Sequence, residues 1–301
     1  MIFRNMLTNT GPKPIEKNKN TIQEKYFLGE NFKILNFGSK NKNKIFYIIR
    51  RTPGAGLFSN ITFVLNHLII SSTFNLIPII DMKNFTTIYN EKNKIDGHHN
   101  AWEYYFKKLN NYSLNQVYQS QNVIFCNSKF ERNMVLDMTN SKIKKFFNKI
   151  KIKDRIIKKV NFFSNKNFYK KEKILGIHFR GSTYKIARGH AFPPPINIMI
   201  NKVDLLLEKY NYTKIFLVTE EKKYLSAFKM KYGNLCMFYN SYRMGKEDLF
   251  EIYPRKNHRY KMGEETIIDT LLLSKCNGLL FIKSNVISAA ILLSKKKQKY
   301  H

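Results

Sequence analysis

The feature that most constrains this chain is an alternation, from about residue 171 onward, of short apolar runs with stretches of helical spacing. Ile174-Leu-Gly-Ile-His-Phe179, Lys214-Ile-Phe-Leu-Val218, Leu235-Cys-Met-Phe238 and Gly278-Leu-Leu-Phe-Ile282 read as strands covered on both faces. Between and after them, residues 196–207, 222–231, 265–276 and 286–293 place their apolar side chains at helical intervals. Strands buried on both faces belong to parallel sheets, and parallel neighbours need a crossover, usually a helix. The pattern predicts a doubly wound α/β domain.

The first half carries a shorter version of the same pattern. Lys44-Ile-Phe-Tyr-Ile-Ile49 reads as a buried strand, and Pro53-Gly-Ala-Gly56 breaks it. Phe58, Ile61, Val64, Leu65, Leu68 and Ile69 then mark a helix over 57–72, followed by a strand over 76–81 in which Pro78 argues for an edge. Residues 141–160 read as one helix with lysines on its outer faces. Residues 1–43 are polar and aperiodic, which predicts a poorly ordered segment. The expected division is therefore 1–43, an N-terminal α/β domain over 44–165, and a C-terminal Rossmann-like domain over 166–301, with a hinge in the Lys-rich stretch 158–173.

Charge is lopsided, with 53 basic against 21 acidic residues and a net charge of +32. Such a balance raises the question of nucleic-acid binding. Asn and Ile are enriched along with Lys, however, as a composition biased throughout would have it. No RNA-recognition signature interleaves the basic residues with aromatics, so no nucleic-acid partner is expected. The three cysteines, Cys126, Cys236 and Cys276, lack metal-ligand spacing and read as free thiols of a reducing compartment. The start of the chain has no signal-peptide core, and the apolar run 61–80 is broken by Asn66, His67, Asn75 and Pro78. A cytoplasmic protein is expected, with the Lys-rich 141–160 and 295–299 able to meet the inner face of an anionic membrane.

Ligands of doubly wound sheets bind beyond the carboxyl ends of the strands. That rule selects Arg180-Gly-Ser-Thr183, Thr219-Glu220-Glu221 and Lys283-Ser284-Asn285: a guanidinium, two carboxylates and a helix start, which together suit an anionic ligand. Ser284-Asn285 reads either as an ordinary N-cap or as a helix end whose N–H groups hold phosphate. Glu220 and Glu221 either serve that site or cap the next helix. His178, inside its strand, reads as a core histidine or a ligand contact. Gly54 and Gly56 stand between a strand and a helix, where backbone approaches something closely, but lack the rest of a dinucleotide fingerprint. Asn100-Ala-Trp-Glu-Tyr-Tyr-Phe106 reads as core packing, with a sugar-stacking platform as the alternative. No P-loop, zincin or nucleophile-elbow motif is present, nor the Asp-x-Asp pair of metal-dependent glycosyltransferases, so no metal and no cofactor are expected.

Four of these segments, in order, resemble the blocks of the α1,6-fucosyltransferase and protein O-fucosyltransferase superfamily, which includes the bacterial nodulation fucosyltransferases. Ile174-Leu-Gly-Ile-His-Phe-Arg-Gly-Ser-Thr-Tyr-Lys185 resembles its His-x-Arg-Arg/Gly-x-Asp peptide, and Pro53-Gly-Ala-Gly-Leu-Phe-Ser-Asn60 its glycine motif. Ile215-Phe-Leu-Val-Thr-Glu-Glu221 is similar to its strand ending in Ala-Thr-Asp-Asp. Glu265-Thr-Ile-Ile-Asp269 through Ser284-Asn285-Val286 is similar to its last block.

The resemblance implies a GT-B type fold, α/β with two Rossmann-like domains facing a cleft. It implies an inverting, metal-independent glycosyltransferase using GDP-fucose or a related GDP-sugar, with a glycan or lipid-linked glycan acceptor. By position it assigns the β-phosphate to Arg180, a nucleotide contact to His178, guanine to Asp269 and the diphosphate to Ser284 and Asn285. Gly54 and Gly56 would line the pyrophosphate from the acceptor-side domain, with Asn60 closing that motif and Glu220 and Glu221 facing the donor. The sequence departs from the family where its second Arg is Gly181 and its following acid is Thr183. Ala187-Arg-Gly-His190 stands where an acidic residue is expected, and His190, between Gly189 and Pro193-Pro-Pro195, is the candidate base. The rival readings are a sugar-nucleotide binder without catalysis and a basic nucleic-acid-binding protein.

Overall fold

A computed structural model describes residues 11–23, 31–126, 141–181, 192–244 and 250–301. The chain divides into two units, Met1–Lys153 and Asp154–His301.

The first unit runs β1 (Glu16–Gln23), β2 (Asn31–Asn36), β3 (Phe46–Ile49), α1 (Leu57–Thr73), β4 (Ile77–Ile80), α2 (Trp102–Tyr105), α3 (Leu114–Val117), β5 (Val123–Phe125) and α4 (Ser141–Phe147). Its sheet has the order β1-β2-β5-β3-β4, antiparallel from β1 to β5 and parallel from β5 to β4. Every residue of β3 is 0% exposed, which accounts for its unbroken apolar run. Pro78 lies on β4 at the sheet edge, where the missing N–H breaks no ladder. Two of the strands, β1 and β2, fall inside residues 1–43, where polar composition predicts loose chain; β2 is drawn in by its pairing with β5. Trp102, Tyr104, Tyr105 and Phe106 are each 3% exposed or less, so the aromatic cluster is core and offers no sugar platform.

The second unit runs α5 (Asp154–Asn167), β6 (Ile174–His178), α6 (Ile196–Tyr210), β7 (Lys214–Val218), α7 (Lys222–Tyr232), β8 (Cys236–Met237), α8 (His258–Leu273), β9 (Gly278–Phe281), α9 (Asn285–Leu293) and β10 (Lys299–Tyr300). All pairings are parallel, in the order β10-β9-β6-β7-β8. The chain starts at the centre, winds outward through β7 and β8, then returns to the other side through β9 and β10. This is the Rossmann order, with its switch point between β6 and β9. Leu175, Ile177, Val203, Leu217 and Phe228 form the centre of its core.

The single helix expected over 141–160 is two. After α4 the chain pairs Ile152 with Phe106 and Lys107 donates to Lys151 O at 2.8 Å, both within the first unit. Helix α5 then starts at Asp154, an acid suited to a helix N-terminus. It packs against α8, where Lys159 Nζ lies 2.6 Å from Glu264 Oε2. That packing places the boundary at 153/154, where the composition suggests 165/166, and makes most of the expected hinge helical. All three cysteines are free and buried. Among the described residues, no helix is long and apolar enough to cross a membrane.

Candidate functional site

The carboxyl edge of the second sheet gathers the strand-end residues. His178 is in register with Val218 of β7 on one side and Phe281 of β9 on the other. The segments after these three strands therefore leave the sheet at one level. Arg180 follows β6 with its side chain 32% exposed, and its Nε lies 3.4 Å from Glu220 Oε1. The same oxygen accepts a hydrogen bond from Gly181 N at 3.1 Å. Glu221 behaves differently: it is 2% exposed and pairs with Lys223 at 3.1 Å. A Cβ on Gly181 would lie 1.7 Å from Glu221 Oε1. The carboxylate of Glu221 occupies the volume that a side chain at 181 would need.

His178 ends β6 and is 4% exposed. Burial, with Arg180 second, lowers its pKa to about 3, so the ring is neutral across the physiological range. Its Nδ1 has no hydrogen-bond partner among the described residues. On the other side of the switch point, Ser284 is the N-cap of α9, and its Oγ accepts from Ile287 N at 3.3 Å. Its hydroxyl thus does what an N-cap does, and Asn285 opens the helix whose dipole points its positive end at the sheet edge.

Asp269, on α8, is 8% exposed. Its Oδ2 accepts from Ser241 Oγ at 3.1 Å, while Oδ1 has no partner among the described residues. Burial raises its pKa to about 7; Arg243 and the Ser241 hydroxyl pull it down and Glu265 pushes it up. Arg243, 6% exposed, ties the loop after β8 by donating from Nη1 to Ser241 O at 2.8 Å and from Nη2 to Tyr239 O at 2.9 Å. Glu265 accepts from Tyr242 N at 3.1 Å and is held bidentately by Arg255 at 2.5 and 2.7 Å. Glu220 connects this loop to Arg180, since its backbone carbonyl accepts from Met244 N at 2.8 Å. Arg180, Glu220, the 241–244 loop and Asp269 are thereby one chain of contacts.

Ser241 and Arg243 escaped the sequence analysis, which took in Glu265 only as the start of the last block. A signal existed, because the loop follows β8, a fourth strand end at the same edge, and the rule applied to the other three applies there as well. His190 lies outside the described residues.

In the first unit, Gly54 adopts φ +75°, a left-handed conformation that favours glycine. Asn60 is 2% exposed and grips the loop from both sides: its Oδ1 accepts from Ala55 N at 2.9 Å and its Nδ2 donates to Ala55 O at 3.1 Å. Gly56 is the N-cap of α1, with open space where a Cβ would stand. Asn60 thus shapes the glycine loop, and Gly56 stands at its open side.

The architecture defines the class: α/β of GT-B type, with two Rossmann-like domains. The crystal structure of NodZ α1,6-fucosyltransferase co-crystallised with GDP matches at TM-score 0.55 and 14% identity, over 83% of this chain and 93% of that one. A structure of fucosyltransferase NodZ from Bradyrhizobium matches at TM-score 0.55 and 15% identity, over 83% and 94%. POFUT1 in complex with GDP-fucose is a looser likeness, at TM-score 0.49 and 9% identity over 87% and 98%. The fold implied by the sequence blocks is the fold found. No protein-family model matches the chain, and no curated protein matches it in sequence.

Proposed function

We propose that this protein is a glycosyltransferase using GDP-fucose or a closely related GDP-sugar, acting on a glycan or lipid-linked glycan by an inverting, metal-independent route. The observation that carries the reading is the register of β6 and β9, which sets Arg180 and the start of α9 on either side of the switch point. A planar guanidinium and a helix N-terminus are donors matched to a diphosphate. Asp269 supports the same reading, because a buried carboxylate with one oxygen left unbonded among the described residues suits the paired N–H donors of a guanine edge.

In the reaction, the bond between sugar C1 and the β-phosphate oxygen breaks, and its electron pair leaves on GDP. The acceptor hydroxyl oxygen forms the new bond to C1 and gives its proton to a base or to water. Negative charge grows on the diphosphate as the bond breaks, so fixed donors at Arg180 and α9 lower the barrier by stabilising that charge. The exposed lysines of 295–299 would favour an anionic membrane bearing the acceptor.

The test is a thermal shift with GDP and with poly-uridine, followed by release of GDP from GDP-fucose in the presence of glycan acceptors. Stabilisation by GDP with acceptor-dependent release supports the enzyme. GDP binding without release leaves a sugar-nucleotide binder, and stabilisation by RNA alone overturns the reading.

A further inference from the structure

We propose that Lys283 is the second cation on the diphosphate, supplying from the segment after β9 the charge that position 181 lacks; this rests on the GDP-sugar reading above. Three observations lead there. First, a side chain at 181 would need the buried Glu221 carboxylate to move, because that carboxylate stands where its Cβ would be. The corner beside Arg180 therefore holds two carboxylates, Glu220 against the guanidinium and Glu221 beneath Gly181. Glu220 balances Arg180 and Lys223 balances Glu221, so among the described residues this corner offers a multiply charged diphosphate no net positive charge.

Second, the strand register brings the segment carrying Lys283 out beside the one carrying Arg180. His178 and Phe281 are partners on adjacent parallel strands, and Arg180 and Lys283 each follow two residues later. Each cation thus stands two residues beyond the last register pair, one after each of the strands that bound the switch point. Third, Lys283 is exposed and makes no ion pair or hydrogen bond among the described residues, while standing immediately before the N-cap Ser284. A cation at the positive end of a helix is unfavourable, and a second cation across the switch point adds to the repulsion. An anion between them relieves both. The neighbouring His178 Nδ1, buried and without a partner among the described residues, marks this edge of the sheet as a place where polar valence is left open.

The experiment measures binding of GDP and of guanosine by calorimetry to the parent, Lys283→Ala and Lys283→Arg. The expected result is GDP affinity reduced about tenfold in Lys283→Ala, with guanosine affinity unchanged and GDP affinity retained in Lys283→Arg. GDP affinity should also fall less steeply with salt in Lys283→Ala than in the parent. If the parent binds GDP and Lys283→Ala binds it equally well, Lys283 has no such role and the GDP-sugar reading stands. Equal losses for GDP and guanosine also overturn the proposal, since guanosine has no phosphate. A parent that binds neither overturns the reading and the role of Lys283 with it.

Discussion

Glu220 Oε1 sits 3.4 Å from Arg180 Nε and accepts the Gly181 N–H at 3.1 Å, so one carboxylate oxygen orients the strand-end arginine and the backbone after it. Arg180→Ala is expected to lower transfer about a hundredfold or more, the scale of losing one donor to a developing oxyanion. Arg180→Lys should recover little, because a point charge cannot reproduce the planar fork. Steady-state kinetics with thermal melting as a fold control check this; near-parental turnover in Arg180→Ala would remove the role assigned to it.

Gly181→Ala puts a methyl into the Glu221 carboxylate and should destabilise by about 1–3 kcal/mol, as overpacking does. Gly181→Ala combined with Glu221→Ala should lose less than the two single changes added together, since the second removes the obstacle created by the first. Urea denaturation of the four proteins tests this as a double-mutant cycle. Simple additivity is the contrary result.

GDP affinity should depend on the protonation of Asp269. Its pKa of about 7 means that the carboxyl is partly protonated at neutrality, with Arg243, Glu265 and Ser241 as the groups that face it. Guanine donors need the ionised form, so affinity should rise up to about tenfold per pH unit below pH 7 and level off above it. Calorimetry between pH 6 and 8 reads this slope, and Asp269→Asn should abolish it. A parent slope that survives the substitution assigns the titration to another group.

Stability should fall in mild acid. His178 and His67 are both lowered from 6.5 to about 3 by burial, with Arg180 and Arg51 respectively as the second cause. The unfolded chain takes up protons there below pH 6.5 that the folded chain refuses, so this stabilisation is present above 6.5 and is lost as pH falls towards 3. Asp269 runs the other way, its raised pKa favouring the folded form at low pH and costing stability as pH rises from 3.8 to about 7. With two groups against one, unfolding free energy should be lower at pH 5 than at pH 7. His67→Gln should shrink the difference, and an unchanged difference would mean that His67 is protonated in the fold.

Much of the second unit was legible because its strands carry their burial in their composition. Ile174–His178 is apolar at nearly every position and is buried at every position, and Lys214–Val218 coincides with the stretch read from the sequence. Arg180, Glu220 and Ser284 were found by being next to such strands. The break at 148–153 was not legible, because α4 and α5 share one periodicity and part company only through contacts with different units.

Local pattern by itself determined the alternation of strand and helix, the strand-end position of Arg180 and the N-cap at Ser284, since each depends on residues within one or two turns of chain. Which residues share an environment was decided only by the tertiary structure. Ser241 meets Asp269 across 28 residues and Arg180 meets Glu220 across 40. That Gly181 leaves room for Glu221, that Asp269 keeps one oxygen unbonded among the described residues and that Arg180 and Lys283 follow paired strands are matters of sheet order and packing. Those depend on how whole strands pack: a buried parallel sheet gains by covering apolar area in many orders, and only the summed fit of side chains between layers selects one.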